Sequence, residues 1–292
     1  SVLRLARLIN YNAKRNRPAT GLLKIDSLIT SEDVIDATGT NLANSAVIWN
    51  DPLNVNYKEQ FIAILNAANQ TGQLFGKPRE SGSIGGIDTE VYTISSNQSD
   101  LPIFNFTANT GGTSRAFEIT SAKIEGSESI YEQDPVNGSG LTYLFRQDGA
   151  GDASNNTGFF FLFKQGQMQL RDFTVDTATT NYVESIDALN INESDVWLYK
   201  LDEFGQIFET WTKVPSLSGN NAVYNSLAEN QRNIYNVVTK ENDSIDLVFG
   251  DGNFSNLPLG SFRSYYRVSD NAKYAIQPGE MANVQIAVPY TD

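Results

Sequence analysis

The side chains that could do chemistry in this sequence are mainly carboxylates, because its 292 residues include no histidine and no cysteine. Without an imidazole or a thiolate, the chain has no histidine general base, no cysteine nucleophile, no disulfide and no zinc cluster. This excludes most ordinary hydrolase chemistry. Paired carboxylates cleave glycosidic bonds without histidine, which leaves a glycosidase as an alternative. The candidate residues for that alternative are Glu184, Asp187, Glu193, Asp195, Asp202 and Glu203.

No spacing among these carboxylates places two of them across a cleft, and no nucleophile-elbow or Ser-x-x-Lys pattern occurs. Residues 148–155 form an acidic loop with Asp148 and Asp152, but they lack the third- and twelfth-position carboxylates of an EF-hand. Residues 81–86 are glycine-rich but lack the Gly-Lys-Ser/Thr ending of a phosphate loop. We therefore expect no enzyme, no cofactor and no metal ion, with calcium at the acidic loop as the alternative.

Charge is distributed unevenly along the chain. There are 21 Lys and Arg residues against 34 Asp and Glu residues, a net charge of -13, yet residues 1–17 hold five bases and no acid. Such an arm could bind nucleic acid, but the acidic remainder would repel a polyanion. The same segment is apolar at Leu3, Leu5, Leu8 and Ile9. We expect an apolar helix there, buried in a bundle with partners, and take these four residues as interface residues.

Two further segments carry helical signals. In residues 32–46 the apolar positions are interrupted by Gly39, whereas from Asn56 onward the pattern is stronger. Asn56 and Glu59 have capping-box spacing, apolar residues follow at helical intervals to Ala68, and Gly72 closes the helix. No apolar run approaches the ~20 residues of a membrane span, so we expect no membrane partner.

From about Ser83 the hydrophobic period changes to two, and short β-rich runs alternate with turn clusters, as in an antiparallel sandwich or barrel. Residues 195–214 predict a hairpin. Further strands are predicted at Ile234–Thr239, Ile245–Phe249, Arg263–Val268 and Val284–Val288. We therefore predict an α+β, β-rich chain with three segments. These are an N-terminal helical or mixed segment over 1–82, an antiparallel β sandwich-like region over 83–215, and a smaller C-terminal α+β or β unit over 216–292.

The most distinctive stretch is 242–268. A strand ends in Phe249, Gly250, Asp251 and Gly252, a connection closes on Pro258-Leu259-Gly260, and a second strand returns through Tyr266-Arg267. The glycines allow positive φ, and the aspartate can accept hydrogen bonds from backbone amides in the turn. We interpret Phe249, Gly250, Asp251 and Gly252 as a structural turn, with calcium binding at Asp251 as the alternative.

This pattern resembles the J-like baseplate proteins of contractile-tailed bacteriophages. A second similarity is to the large inner-ring wedge subunit of myophages. The segments that carry it are Asn16-Arg17-Pro18-Ala19, residues 21–26, Trp49-Asn50-Asp51-Pro52, Glu59-Gln60-Phe61 and Phe75-Gly76-Lys77-Pro78. The matching segments lie in the first third and the last third of the chain, and the β region between them carries no matching motif.

The resemblance implies a structural component of a phage tail baseplate wedge, as the C-terminal part of a longer wedge protein. It also implies a homodimer, a helical bundle shared with another wedge protein, and contacts between wedges that close a ring around the tail hub. The expected partners are other baseplate wedge proteins and hub-proximal tail proteins, with no nucleic acid. The expected location is the virion, after assembly in the host cytoplasm.

The alternative is a carbohydrate- or receptor-binding β module of a virion or cell surface. It rests on the aromatic content, 3 Trp, 13 Tyr and 16 Phe, because exposed rings stack on sugars. The run Phe159–Phe163 has rings on both faces of one strand. We interpret that run as a central strand buried on both faces rather than as a sugar platform.

Overall fold

The computed structural model describes residues 17–31, 33–66, 78–94, 101–126, 129–217, 232–270, 274–277 and 279–288. Contacts divide the chain into two compact units. The first unit comprises Thr20–Gln165 and Gln277–Asp292, and the second comprises Gly166–Ile276 with Ser1–Ala19. Each unit contains one seven-stranded sheet.

The described residues are almost entirely β, with a single α-helix and mostly antiparallel strand pairs. The predicted α+β class with N-terminal helices is therefore wrong. The helix predicted over 32–46 is absent from its described part, where turns surround an isolated bridge between Ile35 and Asn41. The helix predicted through Leu3, Leu5, Leu8 and Ile9 lies outside the described residues.

Asp36 explains why residues 33–46 do not form a helix. Its Oδ1 atom accepts hydrogen bonds from the backbone N–H groups of Thr38 and Thr40 and from the Thr38 hydroxyl. Such side-chain bonds give the backbone an alternative to helical hydrogen bonding. Burial raises the pKa of Asp36, but the hydrogen bonds from Thr38, Thr40 and Gln60 outweigh it, so that the pKa lies below its ordinary value.

The α-helix of the described residues, α1, spans Tyr57–Leu65, and Asn56 occupies the predicted N-cap position. The predicted capping box is wrong, because the Asn56 side chain makes no capping bond. Asn54 organises this helix start instead, accepting from the Asn56 N–H and donating to Gln60 Oε1. No helix in the described part of the chain is long and apolar enough to cross a membrane.

The first unit contains the earlier strands of the chain. They are β1 (Thr20–Lys24), β2 (Ser27–Ile29), β3 (Ala46–Ile48), β4 (Glu80–Ile84), β5 (Ile87–Thr93), β6 (Phe104–Thr110), β7 (Thr113–Thr120), β8 (Ala122–Glu125), β9 (Ser129–Glu132), β10 (Thr142–Gln147) and β11 (Gly158–Gln165). The main sheet has the order β4-β5-β10-β11-β7-β6, and β1 pairs with β11. β2–β3 and β8–β9 form two small sheets.

Strand β11 is the centre of the first unit. Phe160 pairs with Lys24 on one side and Leu144 on the other, and Leu162 pairs with Leu22 and Thr120, so strands flank β11 on both edges. All residues of Phe159–Phe163 are at most 7% exposed. The prediction of a central strand buried on both faces is confirmed for this run.

The second unit contains the remaining strands. They are β12 (Gln167–Val175), β13 (Val183–Ile186), β14 (Ile191–Leu201), β15 (Ile207–Lys213), β16 (Ile234–Thr239), β17 (Ile245–Phe249) and β18 (Gly260–Val268). Their order is β12-β18-β14-β15-β16-β17-β13, antiparallel except for β15–β16. The predicted hairpin over 195–214 is confirmed, because β14 pairs with β15.

The second sheet curls around one apolar core. That core takes buried side chains from every strand of the sheet, including Val175, Ile186 and Leu198. The two edge strands approach each other, since Arg171 on β12 and Glu184 on β13 form an ion pair at 3.1 Å. The predicted sandwich and the predicted smaller C-terminal α+β or β unit are therefore wrong as parts of the fold, because β16, β17 and β18 join β12–β15 in one barrel-like sheet.

Candidate interaction surface

Five of the six carboxylates considered for glycosidase chemistry have structural partners in the second unit. These partners are Arg171 and Tyr182 for Glu184, Lys240 for Asp187, Thr239 for Glu193, Arg267 for Asp195, and the N–H groups of Phe204 and Gln206 for Asp202. Glu203 is exposed in the turn after β14. Among the described residues, no group of three or more Asp or Glu side chains is arranged to hold a metal ion.

The Asp195–Arg267 pair lies in the interior of the second unit. Arg267 Nη1 lies 3.0 Å from Asp195 Oδ2, and the two side chains are 0% and 3% exposed. Removal of one partner of such a buried ion pair strongly destabilises the folded protein, because the other charge is left uncompensated. The arrangement is that of a structural contact.

Asp148 organises the acidic loop that was considered for calcium. Its oxygens accept hydrogen bonds from the Ala150 N–H and from the hydroxyls of Ser154 and Thr157. These bonds, with that of Ser154 the largest contribution, lower the pKa of Asp148 to about 2. The carboxylate is thus engaged by its own loop.

Two side chains from other parts of the first unit donate hydrogen bonds to the same loop. Lys24 Nζ donates to the Ser154 carbonyl at 3.0 Å, and Trp49 Nε1 donates to the Asp152 carbonyl at 3.0 Å. Burial lowers the pKa of Lys24 even though Asp26 and Asp148 are nearby. The loop therefore has a defined position over the end of β1.

Phe249, Gly250, Asp251 and Gly252 lie at the end of β17 and in the turn that follows it. Phe249 is fully buried, and Asp251 accepts hydrogen bonds from the N–H and the side-chain amide of Asn253. The Asn253 backbone bond is the largest of the causes that lower the pKa of Asp251. The other predicted interface residues, Leu3, Leu5, Leu8 and Ile9, lie outside the described residues.

A groove of about 690 Å³ lies within the first unit. One wall is residues 23–31, from the end of β1 through β2, and the opposite wall is residues 281–286 with Val288. Side chains of α1, Ile94 and Phe161 line the space between the two walls. The charged residues among those that line the groove are Lys24 and Asp26.

Within the described ranges, one edge of β1 has no strand partner, and Leu23 and Lys24 at the end of this strand line the groove. The Ile25 N–H donates to the Phe159 carbonyl, so residues 21, 23 and 25 direct their main-chain groups toward β11. The main-chain groups of Leu22 and Lys24 consequently point to the opposite edge. No strand in the described ranges pairs with that edge.

The opposite wall begins with a turn that includes Asn283, at φ 64°, and continues through residues 284–288, which belong to no strand. In residues 283–288, Val284, Ile286 and Val288 are half-buried, whereas Asn283, Gln285 and Ala287 are exposed, which is strand periodicity. The segment pairs with no strand of the described ranges. The strand predicted at Val284–Val288 is therefore wrong as a paired element, although its alternation is present.

Exposed apolar residues recur along the chain between β2 and α1. We define the apolar patch as Ile29, Ile48, Leu53 and Val55, which are 75%, 50%, 95% and 88% exposed. Ile29 and Ile48 lie on the outer face of the β2–β3 sheet, and Ile29 also lines the groove. Leu53 and Val55 follow β3 in the loop that leads to α1.

Sequence reasoning did not identify the groove or the patch. Residues 32–46 were predicted as a helix, so no pairing of β2 with β3 was predicted. Residues 21–24 of β1 entered the prediction only through the resemblance to wedge proteins. The available signal was the alternation of Val284, Ile286 and Val288, which indicated a strand but not that it would lack a partner.

No curated protein and no solved structure matches the chain. One family model does match, over residues 21–292, and its description is "Domain of unknown function (DUF8360)". The match covers both units almost completely, so the chain belongs to the DUF8360 family.

Proposed function

We propose that this chain is a structural subunit of a phage tail baseplate wedge, which acts in the virion by binding other subunits and not by catalysis. The observation that carries the proposal is the apolar patch. Scattered exposed apolar residues are common, but residues 29–55 contain five of them, the four of the patch and Ile35, and this density supports a contact surface.

The position of the patch supports the wedge assignment. Leu53 and Val55 lie between Trp49-Asn50-Asp51-Pro52 and Glu59-Gln60-Phe61, two of the segments that resemble the wedge proteins of myophages. A contact surface within that stretch is consistent with self-association and with binding of further wedge proteins.

The experiment is sedimentation velocity on the full chain over a concentration series, with Leu53→Glu as the test variant. We expect wild-type self-association and at least a tenfold weaker association in the variant, which corresponds to about 1.4 kcal/mol. Leu189→Glu is the matched control, since Leu189 is an exposed leucine of the second unit, at 61%. Equal association of both variants and the wild type would exclude the patch as the contact.

A second candidate is a carbohydrate- or receptor-binding module. It is favoured by Phe204 and Phe208, which are 77% and 58% exposed at the tip of the β14–β15 hairpin, beside Asp202 and Glu203. Exposed rings next to carboxylates suit sugar stacking and hydroxyl binding. Saturable binding on a glycan array that is lost in Phe204→Ala would support this candidate, and an array without signal would remove it.

A further inference from the structure

Asn137 and Gly138 form the tip of a turn in the loop between β9 and β10. The Ser139 N–H and the Ser139 hydroxyl both donate to the Val136 carbonyl, at 3.4 Å and 2.7 Å, which closes the turn. Gly138 has φ 75°, a value that suits the third position of a type II turn. Both residues at the tip are exposed, so this dipeptide is accessible to water.

An Asn-Gly dipeptide is the sequence that most favours deamidation within the chain. The Gly138 nitrogen can attack the side-chain carbonyl carbon of Asn137, because the product is a five-membered succinimide ring. Glycine has no Cβ atom to hinder the attack, and its permissive backbone lets the peptide plane turn toward the Asn137 side chain. Asn137 is the only asparagine of the sequence that is followed by glycine.

The attacking nitrogen is not held by the fold. Within the described ranges, the Gly138 N–H makes no hydrogen bond. The main-chain bond that closes the turn, from the Ser139 N–H to the Val136 carbonyl, is 3.4 Å and thus longer than the usual range. Rotation of the peptide plane between Asn137 and Gly138, which ring closure requires, therefore meets little resistance.

Asn156 provides an internal comparison in the same unit. Asn156 is exposed as well, but the next residue, Thr157, is β-branched and buried. The Thr157 N–H also donates to the Ser154 carbonyl at 3.2 Å. The nitrogen that would attack the Asn156 side chain is therefore both hindered and held.

We propose that Asn137 is a site of spontaneous deamidation. The Gly138 nitrogen forms a bond to Asn137 Cγ and loses its proton, the bond from Cγ to the side-chain nitrogen breaks, and ammonia leaves. Water then opens the ring at either carbonyl, which gives aspartate or isoaspartate at residue 137. Each event adds one negative charge to the net charge of -13, and the isoaspartate also lengthens the main chain by one carbon. This proposal does not depend on the proposed function.

The experiment is incubation of the full chain at mildly alkaline pH, followed by peptide mass spectrometry. Replacement of the amide nitrogen by oxygen adds about 1 Da to the peptide that contains residue 137. We expect this gain at least about tenfold faster than at Asn156, because Gly138 lacks a Cβ atom and its N–H makes no hydrogen bond. Labelling by an isoaspartyl methyltransferase should identify the isoaspartate product.

Two variants test the assigned atoms. Asn137→Gln should abolish the gain at residue 137, since its side chain would have to close a larger ring, whereas Asn156→Gln is the matched control and should leave that gain unchanged. Gly138→Ala should slow the reaction several-fold because its Cβ atom hinders the attack. Near-ultraviolet circular dichroism checks that each variant remains folded.

The unfolded chain in urea gives the reference rate for the same dipeptide. Deamidation at Asn137 in urea but not in the folded chain would overturn the proposal, because the turn would then protect the site. Equal rates at Asn137 and Asn156 would also overturn it, as would a Gly138→Ala variant that reacts as fast as the wild type.

Discussion

Several carboxylates among the described residues act as hydrogen-bond acceptors for nearby backbone. Asp36, Asp148, Asp202 and Asp251 each accept a hydrogen bond from the N–H two residues further along the chain. This pattern defines Asx turns, which fix loops locally. The acidic composition is therefore explained in part by loop structure, and it does not require a catalytic or metal site.

Replacement of Asp148 should change the acid stability of the first unit. The folded-state pKa of Asp148, about 2, lies below the ordinary value of 3.8, so its contribution is present above pH 4 and is lost as the pH falls toward 2. We expect Asp148→Asn to be less stable than the wild type at pH 7 and equally stable near pH 2. Urea midpoints at both pH values measure this.

The control for that measurement is Asp88→Asn, a change of an exposed carboxylate on β5. It should leave the urea midpoint at pH 7 within experimental error of the wild type. A stability difference for Asp148→Asn that stays constant from pH 7 to pH 2 would show that the effect is not linked to its ionisation.

Removal of one partner of the buried Asp195–Arg267 pair should destabilise the second unit. We expect Arg267→Met to lower the free energy of unfolding by about 3–5 kcal/mol, because Asp195 would remain buried without its counter-charge. The double variant Asp195→Leu/Arg267→Met should recover most of this loss. Denaturant unfolding followed by tryptophan fluorescence measures both, since Trp211 lies in the same unit.

Arg171→Ala provides the comparison for the buried pair. Its ion pair with Glu184 is partly exposed, and such pairs contribute about 0–1 kcal/mol. If Arg267→Met were no more destabilising than Arg171→Ala, the buried pair would not be the structural contact described here.

At the level of elements, the turn after β17 depends on close packing of its backbone. A Cβ atom on Gly250 would overlap Ser255 Oγ and lie 2.9 Å from Ser255 Cβ. The Gly250 carbonyl also accepts a hydrogen bond from the Asn181 N–H at 2.9 Å, so the turn is held against the start of β13. Space for a side chain at residue 250 is therefore absent.

Gly250→Ala should destabilise the second unit by about 1–3 kcal/mol through overpacking. The double variant Gly250→Ala/Ser255→Gly removes the opposing atoms and should recover stability. Thermal unfolding of both variants measures the effect. A single variant as stable as the wild type would show that the turn accommodates a side chain.

The elements that sequence predicted well were those with local signals. The β14–β15 hairpin, the strands at 234–239, 245–249 and 263–268, and the start of α1 at Tyr57 follow from short-range periodicity and turn residues. The predicted helix over 32–46 failed because the hydrogen bonds of Asp36 stabilise turns there, and apolar spacing does not report those bonds.

Strand pairing and the candidate site could not be predicted in the same way. β1 pairs with β11 and β12 pairs with β18, between strands that are far apart in the sequence. Such pairs are specified by packing across the whole unit and not by local pattern. The edge of β1 that no described strand pairs with becomes visible only when the partner on its other edge is known.

On the scale of the whole molecule, net charge should control self-association. Each copy carries -13, so copies repel over the Debye length, about 10 Å at 0.1 M salt. If the contact is apolar and uncharged, salt screens the repulsion and should lower the dissociation constant several-fold between 50 and 300 mM NaCl. Sedimentation at the two salt concentrations measures this, and a contact held by ion pairs would weaken instead.

In the proposed function, the intact chain associates with itself through uncharged surfaces of the first unit. The most direct test is the mass of the full chain by light scattering over a wide concentration series. The proposed function predicts a rise from 32.2 kDa toward twice that mass, and a smaller rise in Leu53→Glu over the same concentrations. A mass of 32.2 kDa at every concentration would contradict it.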